Sequence, residues 1–555
     1  MYRKTMKTLY RLIMLSAAIA VSASVQASPK YNVKGRITAE GKPVAGVQVS
    51  DGRQIVLTDA KGCYKMLSDK ADSMLFITTP SGYIAQKGPG VTPAFFAMLT
   101  KPASKCEKHD FELVPQDQKD YSVLMMSDIH FARVPAGVDR SEFKRLVLPC
   151  LNSLIDQRQQ QGKAVFCFQF GDFDHDSMWY ANHSDEIAAF NFLSSLGIKA
   201  PFFGVSGNHD NDGAITEGDA TDSISAWQVR RTWGPDRFAM NIGKDHWIFL
   251  DNIIYKNTPV AKPVDNINGD RSYDTTLKPD QLEWLKKDLE YVPDGTRIYL
   301  CMHCPAFNTA NPKERIPDEL VSTLDGIFSR FPKVTVFSGH AHMMHIPSTG
   351  KYTRFEQFVL PALSGNMWQT NELGYQCVCS DGTSAGILTA DNFASANPDY
   401  DYVTTEFGPK AMRIYDMNAV AEYYRNDPGV RYQMNLYSPK YKHDFADGSY
   451  TNKIFINYWF HRPGETVHAY ENGVELDVKM EKMEDPLYNI SYFVPYSVNA
   501  GKFKKSLGAF RWPHMFVAQA ATADAPVVVK VLDEKGRTIR EETLTRPKAF
   551  DKNAR

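Results

Sequence analysis

From Tyr121 onward the chain alternates apolar runs short enough to be strands with segments of helical period, and the runs repeatedly stop at polar clusters. Ser122-Val-Leu-Met-Met126 reads as a buried strand, and apolar residues at Phe143, Leu146, Val147, Cys150, Leu151, Leu154 and Ile155 predict a helix over 142–159. Further strands are expected at 164–168, 201–205, 245–250, 297–300 and 334–337, with helices at 186–196 and 319–331. Another helix should start at Pro279, because proline suits a first helical turn. Such alternation predicts an α/β unit, a sheet covered by helices on both faces, with ligands gathered outside the carboxyl ends of the strands.

Five of these runs lead into residues that hold hard or borderline cations: Ser127-Asp-Ile-His130, Gly171-Asp-Phe-Asp-His-Asp176, Gly207-Asn-His-Asp210, Cys301-Met-His303 and Gly339-His-Ala-His342. Taken singly, each has an ordinary explanation. Asp-x-His is common loop polarity, Gly-Asp is a turn, and Asn-His-Asp caps a helix well. It is their succession at consecutive strand ends, read as five segments of one sheet delivering Asp, His and Asn to one edge, that points to a metal site.

The series Asp128-x-His130, Gly171-Asp172, Gly207-Asn208-His209-Asp210, His303 and Gly339-His340-x-His342 resembles the calcineurin-like metallophosphoesterases and runs in the family order. The flanking β regions and "GPDRFAMNIGKDHWIFLDN" over 234–252 resemble the three-part exported bacterial form of that family. The resemblance implies a four-layer β-sandwich flanked by helices, two divalent transition metal ions (Zn, Mn, Fe or Ni) and hydrolysis of a phosphate ester by a metal-activated water. It assigns Asp128, His130 and His342 to one metal, and Asn208, His303 and His340 to the other, with Asp172 bridging. Such pairs sit ~3.5 to 4 Å apart and clamp the attacking and leaving oxygens of an in-line displacement. His209 would stabilise or protonate the leaving oxygen, and Asp210 would orient it or merely cap a helix. His345 receives no family role. His175 stands where related phosphoesterases often carry an acid and purple acid phosphatases a tyrosine; with Trp179 it is a candidate substrate contact. Tyr180, Trp233 and Trp368 are further aromatics available to line a sugar, nucleoside or lipid pocket, although aromatic side chains are more often core.

On either side the pattern is of strands. Residues 28–115 read as a small immunoglobulin-like β module, whose "TDAKGCY" resembles carboxypeptidase-regulatory-like domains; 116–380 hold the phosphoesterase unit and 381–555 a C-terminal all-β domain. The start of the chain, basic at Arg3, Lys4, Lys7 and Arg11, apolar over 12–21 and closing on Val25-Gln-Ala27, is expected to be a signal peptide over 1–27 that sends the protein to the periplasm or outside. Serine at 28 argues against a lipid anchor, and no later run is long enough to span a bilayer. Eight cysteines in 555 residues are not a disulfide framework, and Cys301-Met-His-Cys304 lacks the second pair a zinc site would need. Lys plus Arg is 63 and Asp plus Glu 64, a net charge of −1 that gives no general attraction for nucleic acid. The expected partner is therefore a small-molecule or envelope phosphoester. A binding protein on a phosphoesterase scaffold and an exported nuclease are the alternatives.

Overall fold

The computed structural model describes residues 31–134, 137–308, 314–372, 376–437, 444–493, 495 and 514–551. The expected signal peptide lies outside them. Among the described residues no helix is long and apolar enough to cross a membrane.

The centre of the molecule is two stacked sheets. Ten of its strands are numbered here: β1 Tyr121–Met126, β2 Ala164–Phe170, β3 Phe202–Val205, β4 Arg237–Ile242, β5 Asp245–Leu250, β6 Arg297–Cys301, β7 Val334–Ser338, β8 Phe355–Val359, β9 Gly386–Asp391 and β10 Asp399–Thr404. One sheet runs β3-β2-β1-β9-β10, with the first three parallel and β9 antiparallel to β1; the other runs β4-β5-β6-β7-β8, parallel from β5 onward. The five polar segments thus come from two facing sheets and not from one. The reason lies in side-chain alternation: Val123 and Met125 of β1 face the inter-sheet core, while Leu124 and Met126 face the helices outside. Phe168 touches Trp247 and Phe249 across the sandwich, with ring centroids 5.0 Å apart in each case, and Tyr121 donates its hydroxyl to Asp245 at 2.7 Å. The helical stretch from Val138 to Gln160 covers the first sheet, with a π-turn at Phe143–Val147. Pro279–Leu289 and Asp318–Ile327 bring Trp284, Leu285, Leu320 and Leu324 onto the second, which completes four layers.

The flanks are strand-rich. Residues 31–115 form two small sheets, built on Val33–Ala39 and on Gln48–Ser50 with Met74–Thr78. At the other end, two expectations need correction. The boundary at 380 is too early, because β9 and β10 complete the first central sheet by pairing on β1. The C-terminal unit is strand-rich rather than all-β: helices Met417–Asn426 and Pro428–Tyr437 pack beside its sheets, where Val420 and Tyr424 of the first join Val430 and Met434 of the second. All eight cysteines are free.

Candidate metal centre

The ligand-type residues leave the carboxyl ends of β1, β2, β3, β6 and β7 and meet between the sheets. One ligand atom each from Asp128, His130, Asp172 and His342 lies within 4.8 Å of the others, and the same holds for Asp172, His303 and His340. Asp172 belongs to both groups. Asn208 joins the second, its Oδ1 3.1 Å from His303 Nε2.

The backbone there is unusual. Asp128, His130, Asp172, His340 and His342 all have φ between 50° and 68°, the left-handed region that side chains rarely adopt. Each such residue costs on the order of 1–3 kcal/mol, and strain of this kind concentrates at functional sites. Glycine is required beside them: a Cβ on Gly339 would stand 1.8 Å from Ser127 Oγ and 2.3 Å from Asp128 Oδ2. Backbone amides orient the carboxylates. His340 N–H donates to Asp128 at 3.0 Å and His209 N–H to Asp172 at 2.8 Å.

These residues suit a pair of divalent cations. His130 and His342 present Nε2 to Nε2 at 2.9 Å, and His340 Nδ1 stands 3.2 Å from His303 Nε2, so imidazole nitrogens converge in pairs that a shared cation would hold together. His303 Nδ1 lies 2.7 Å from the carbonyl of Phe170, the contact that fixes its N–H there and leaves Nε2 as the lone pair facing Asp172. Burial, reinforced by His342, holds His130 well below the usual histidine range, and burial with His303 brings His340 down to about 3; neutral imidazoles are the ligating form. Burial also disfavours charge on His303, yet Asp172 outweighs it and lifts the group to about 10. That carboxylate calls for positive charge at Nε2, which a divalent cation supplies as well as a proton does.

His209 lies beside the cluster, its ring centroid 5.4 Å from that of His130. Its Nδ1 is 2.8 Å from Asp176 Oδ1, leaving Nε2 available. Asp176 also receives Tyr255 Oη at 3.1 Å and Arg271 Nη1 at 2.9 Å. Burial works against a charged His209, but Asp172 and Asp176 outweigh it and raise the group above the usual histidine range. The ring is therefore suited to carry a proton.

Models of the calcineurin-like phosphoesterase family match the chain in three consecutive parts: the N-terminal part over 31–116, the phosphoesterase itself over 121–344 and the C-terminal part over 357–539. The chain belongs to the calcineurin-like phosphoesterases. No curated protein matches it. Among solved structures, a dimetal phosphatase from Danio rerio is 11% identical over 51% of this chain and 99% of its own, with a TM-score of 0.30. PhoD is 11% identical over 69% and 83%, at 0.31, and a 5'-nucleotidase from Candida albicans 11% over 52% and 52%, at 0.30.

Within this phosphoesterase, other expected contacts fall out differently. Asp210 does not orient His209, and no helix starts there for it to cap. Its carboxylate turns inward to accept the N–H groups of Gly207 at 2.7 Å and Asp174 at 2.9 Å, two buried amides that would otherwise lack acceptors. Asp176 is the partner of the His209 ring instead. His175 is buried and stacks on His209 with centroids 4.1 Å apart, its Nδ1 2.8 Å from Ser177 Oγ, so it supports that ring and does not face an open pocket. Trp179 is 4% exposed and packs inside, as do Trp233 and Trp368, which donate to Glu186 and to the Ile129 carbonyl. Tyr180 donates to Asp212. His345 pairs its backbone with Val359 behind the ligand loop. Three residues beside the centre escaped sequence reasoning: the buried Tyr255, the part-exposed Arg271, and Tyr273, whose ring lies 6.1 Å from that of His340, all carried by a β-ribbon inserted between β5 and β6. The one sequence signal, for Arg271 and Tyr273, is the turn-rich "DNINGDRSYD" over 265–274.

Proposed function

We propose that the protein is an exported hydrolase of phosphate esters that works at a dinuclear divalent metal centre held by Asp128, His130, Asp172, Asn208, His303, His340 and His342. The observation that carries this reading is the sharing of Asp172 between two ligand clusters, with His209 poised beside both. When bound, the metal pair supplies Lewis acidity for the phosphoryl group and an activated water. The chain does the rest. Amides of His340 and His209 hold the two carboxylates at fixed angles, so the ligands need not reorganise. Asp176 holds the proton of His209 at Nδ1 and keeps the ring turned, so that Nε2–H delivers a proton to the departing oxygen. His175 packs on the ring's face and restricts its tilt.

Zinc, manganese, iron and nickel all suit this mixture of imidazole, carboxylate and amide. Export is supported by the basic, apolar and small-residue order of the first 27 residues. The test is turnover of p-nitrophenyl phosphate and bis-p-nitrophenyl phosphate by purified protein loaded with each metal. Activity that requires metal and is lost in Asp172→Ala is expected. Equal rates with and without Asp172 would end the proposal.

A further inference from the structure

The β-ribbon runs out from Ile253–Tyr255 through Pro259–Val264, turns, and returns through Ile267–Gly269 and Tyr273–Thr275. Its outer half is mostly exposed, yet its root is pinned to the loop that follows Asn208-His209-Asp210. Asn257 does the pinning: its Nδ2 donates to the carbonyls of Gly213 at 3.0 Å and Ile215 at 2.6 Å, and its Oδ1 accepts Arg271 N–H at 2.8 Å. Arg271 is held with φ 57° by that contact, a conformation disfavoured for arginine.

The side chain that this backbone presents is unusual in its company. Arg271 Nη1 and His209 Nδ1 share one acceptor, Asp176 Oδ1, at 2.9 and 2.8 Å. Asp176 is 1% exposed, whereas the arginine side chain is 33% exposed. One buried carboxylate thus serves both an arginine and a histidine at the edge of the metal centre. Among the described residues the guanidinium makes no other hydrogen bond, so Nη2 and Nε stay free at the open side. A part-exposed guanidinium with two donor groups unengaged, held at the edge of the ligand cluster, is a ready partner for an anion.

We infer that Arg271 binds the terminal phosphoryl group of a phosphate monoester, and that the site prefers small-molecule monoesters to diesters. This rests on the hydrolase reading above. A monoester carries close to two negative charges at neutral pH and three non-bridging oxygens, one more than a diester offers. An arginine fork added to a metal pair reads that extra charged oxygen, which a diester replaces with a second alkyl or aryl substituent.

The test compares metal-loaded wild type with Arg271→Gln and Arg271→Lys in two measurements: kcat/KM for p-nitrophenyl phosphate and for bis-p-nitrophenyl phosphate, and calorimetric affinity for inorganic phosphate. Losing a charge-assisted hydrogen bond should cost R271Q roughly ten- to a hundred-fold on the monoester and a similar factor in phosphate affinity, with the diester changed by less than about three-fold. R271K, which keeps the charge and can still pair with Asp176, should recover part of both, with metal content unchanged in all three proteins. Equal losses on both esters with unaltered phosphate affinity would reduce Arg271 to a support for Asp176 and overturn the inference. If wild type binds phosphate through Arg271 yet cleaves neither ester, the hydrolase reading fails while the anion site stands.

Discussion

Five of the seven proposed ligands do two jobs at once, bending the chain and facing inward. Asp128, His130, Asp172, His340 and His342 could be read from the sequence because each sits within a few residues of a strand end in a short Asp- or His-bearing motif, with a glycine directly before Asp172 and before His340. The pairing of His209 could not be read in the same way. Asp174, Asp176 and Asp210 are all within reach by sequence, and only the fold decides that Asp210 is consumed by two amides while Asp176 meets the ring. Removing the proton donor tests this. His209→Gln should lower kcat by ~10² to 10⁴ while metal content holds. Asp176→Asn, which keeps the shape but loses the charge behind the ring, should lower kcat by a smaller factor without changing metal content. An Asp176→Asn enzyme with wild-type kcat would show that the ring needs no orienting carboxylate.

Strands and helices of the centre were legible because β1 is one short continuous apolar run and the helices on both faces keep apolar residues at the 3.6 period. What periodicity could not give was the partition of strands between sheets, or the return of β9 and β10 to pair with β1, since pairing depends on contacts distant in sequence. The arginine-bearing ribbon was missed for the same reason. The loop carrying His340 and His342 is braced from outside its own sheet. Met344 N–H donates at 3.0 Å to Asp381, a fully buried residue whose carbonyl accepts Asn457 Nδ2 of the C-terminal unit at 2.7 Å. Asp381→Ala should strand that amide at a cost of about 1–3 kcal/mol, seen as a lower denaturation midpoint, and should also loosen metal retention. A variant with unchanged stability and metal content would show that the brace is idle. In the N-terminal module, burial alone would raise Glu107, but Lys70 at 2.5 Å and the amides of Thr100 and Lys101 outweigh it and hold the carboxyl at about 2, against 4.5 for the free side chain. A depressed acid stabilises only while ionised. Its contribution is therefore complete above about 4.5 and is lost as pH falls through about 2. Denaturation at stepped pH should show Glu107→Gln less stable than wild type near neutrality, with the gap closing across that acid window. A gap independent of pH would refute the assignment.

The three parts interlock rather than hang as beads. Asp72 of the N-terminal module reaches the buried Arg237 at 3.3 Å, Trp284 of the central helix donates to Ser50, and Asp288 binds both His246 of β5 and Gln48. One apolar core accordingly runs from Val33 through Phe249 to Val529. The N-terminal module grips the second sheet and the C-terminal unit braces the His340 loop, so the flanks hold the two sheets in the register that brings their ligand sets together. The composition allowed several units without showing how they meet, because the residues that join them, such as Asp72 and Arg237, stand far apart in sequence and carry no motif. Everything proposed about chemistry depends on those two sheets sharing one carboxylate. Diffraction from crystals soaked in a divalent transition metal, read by anomalous scattering, addresses that directly. Two ions ~3.5 to 4 Å apart with Asp172 between them are expected. A single ion, or two that leave Asp172 unligated, would contradict it.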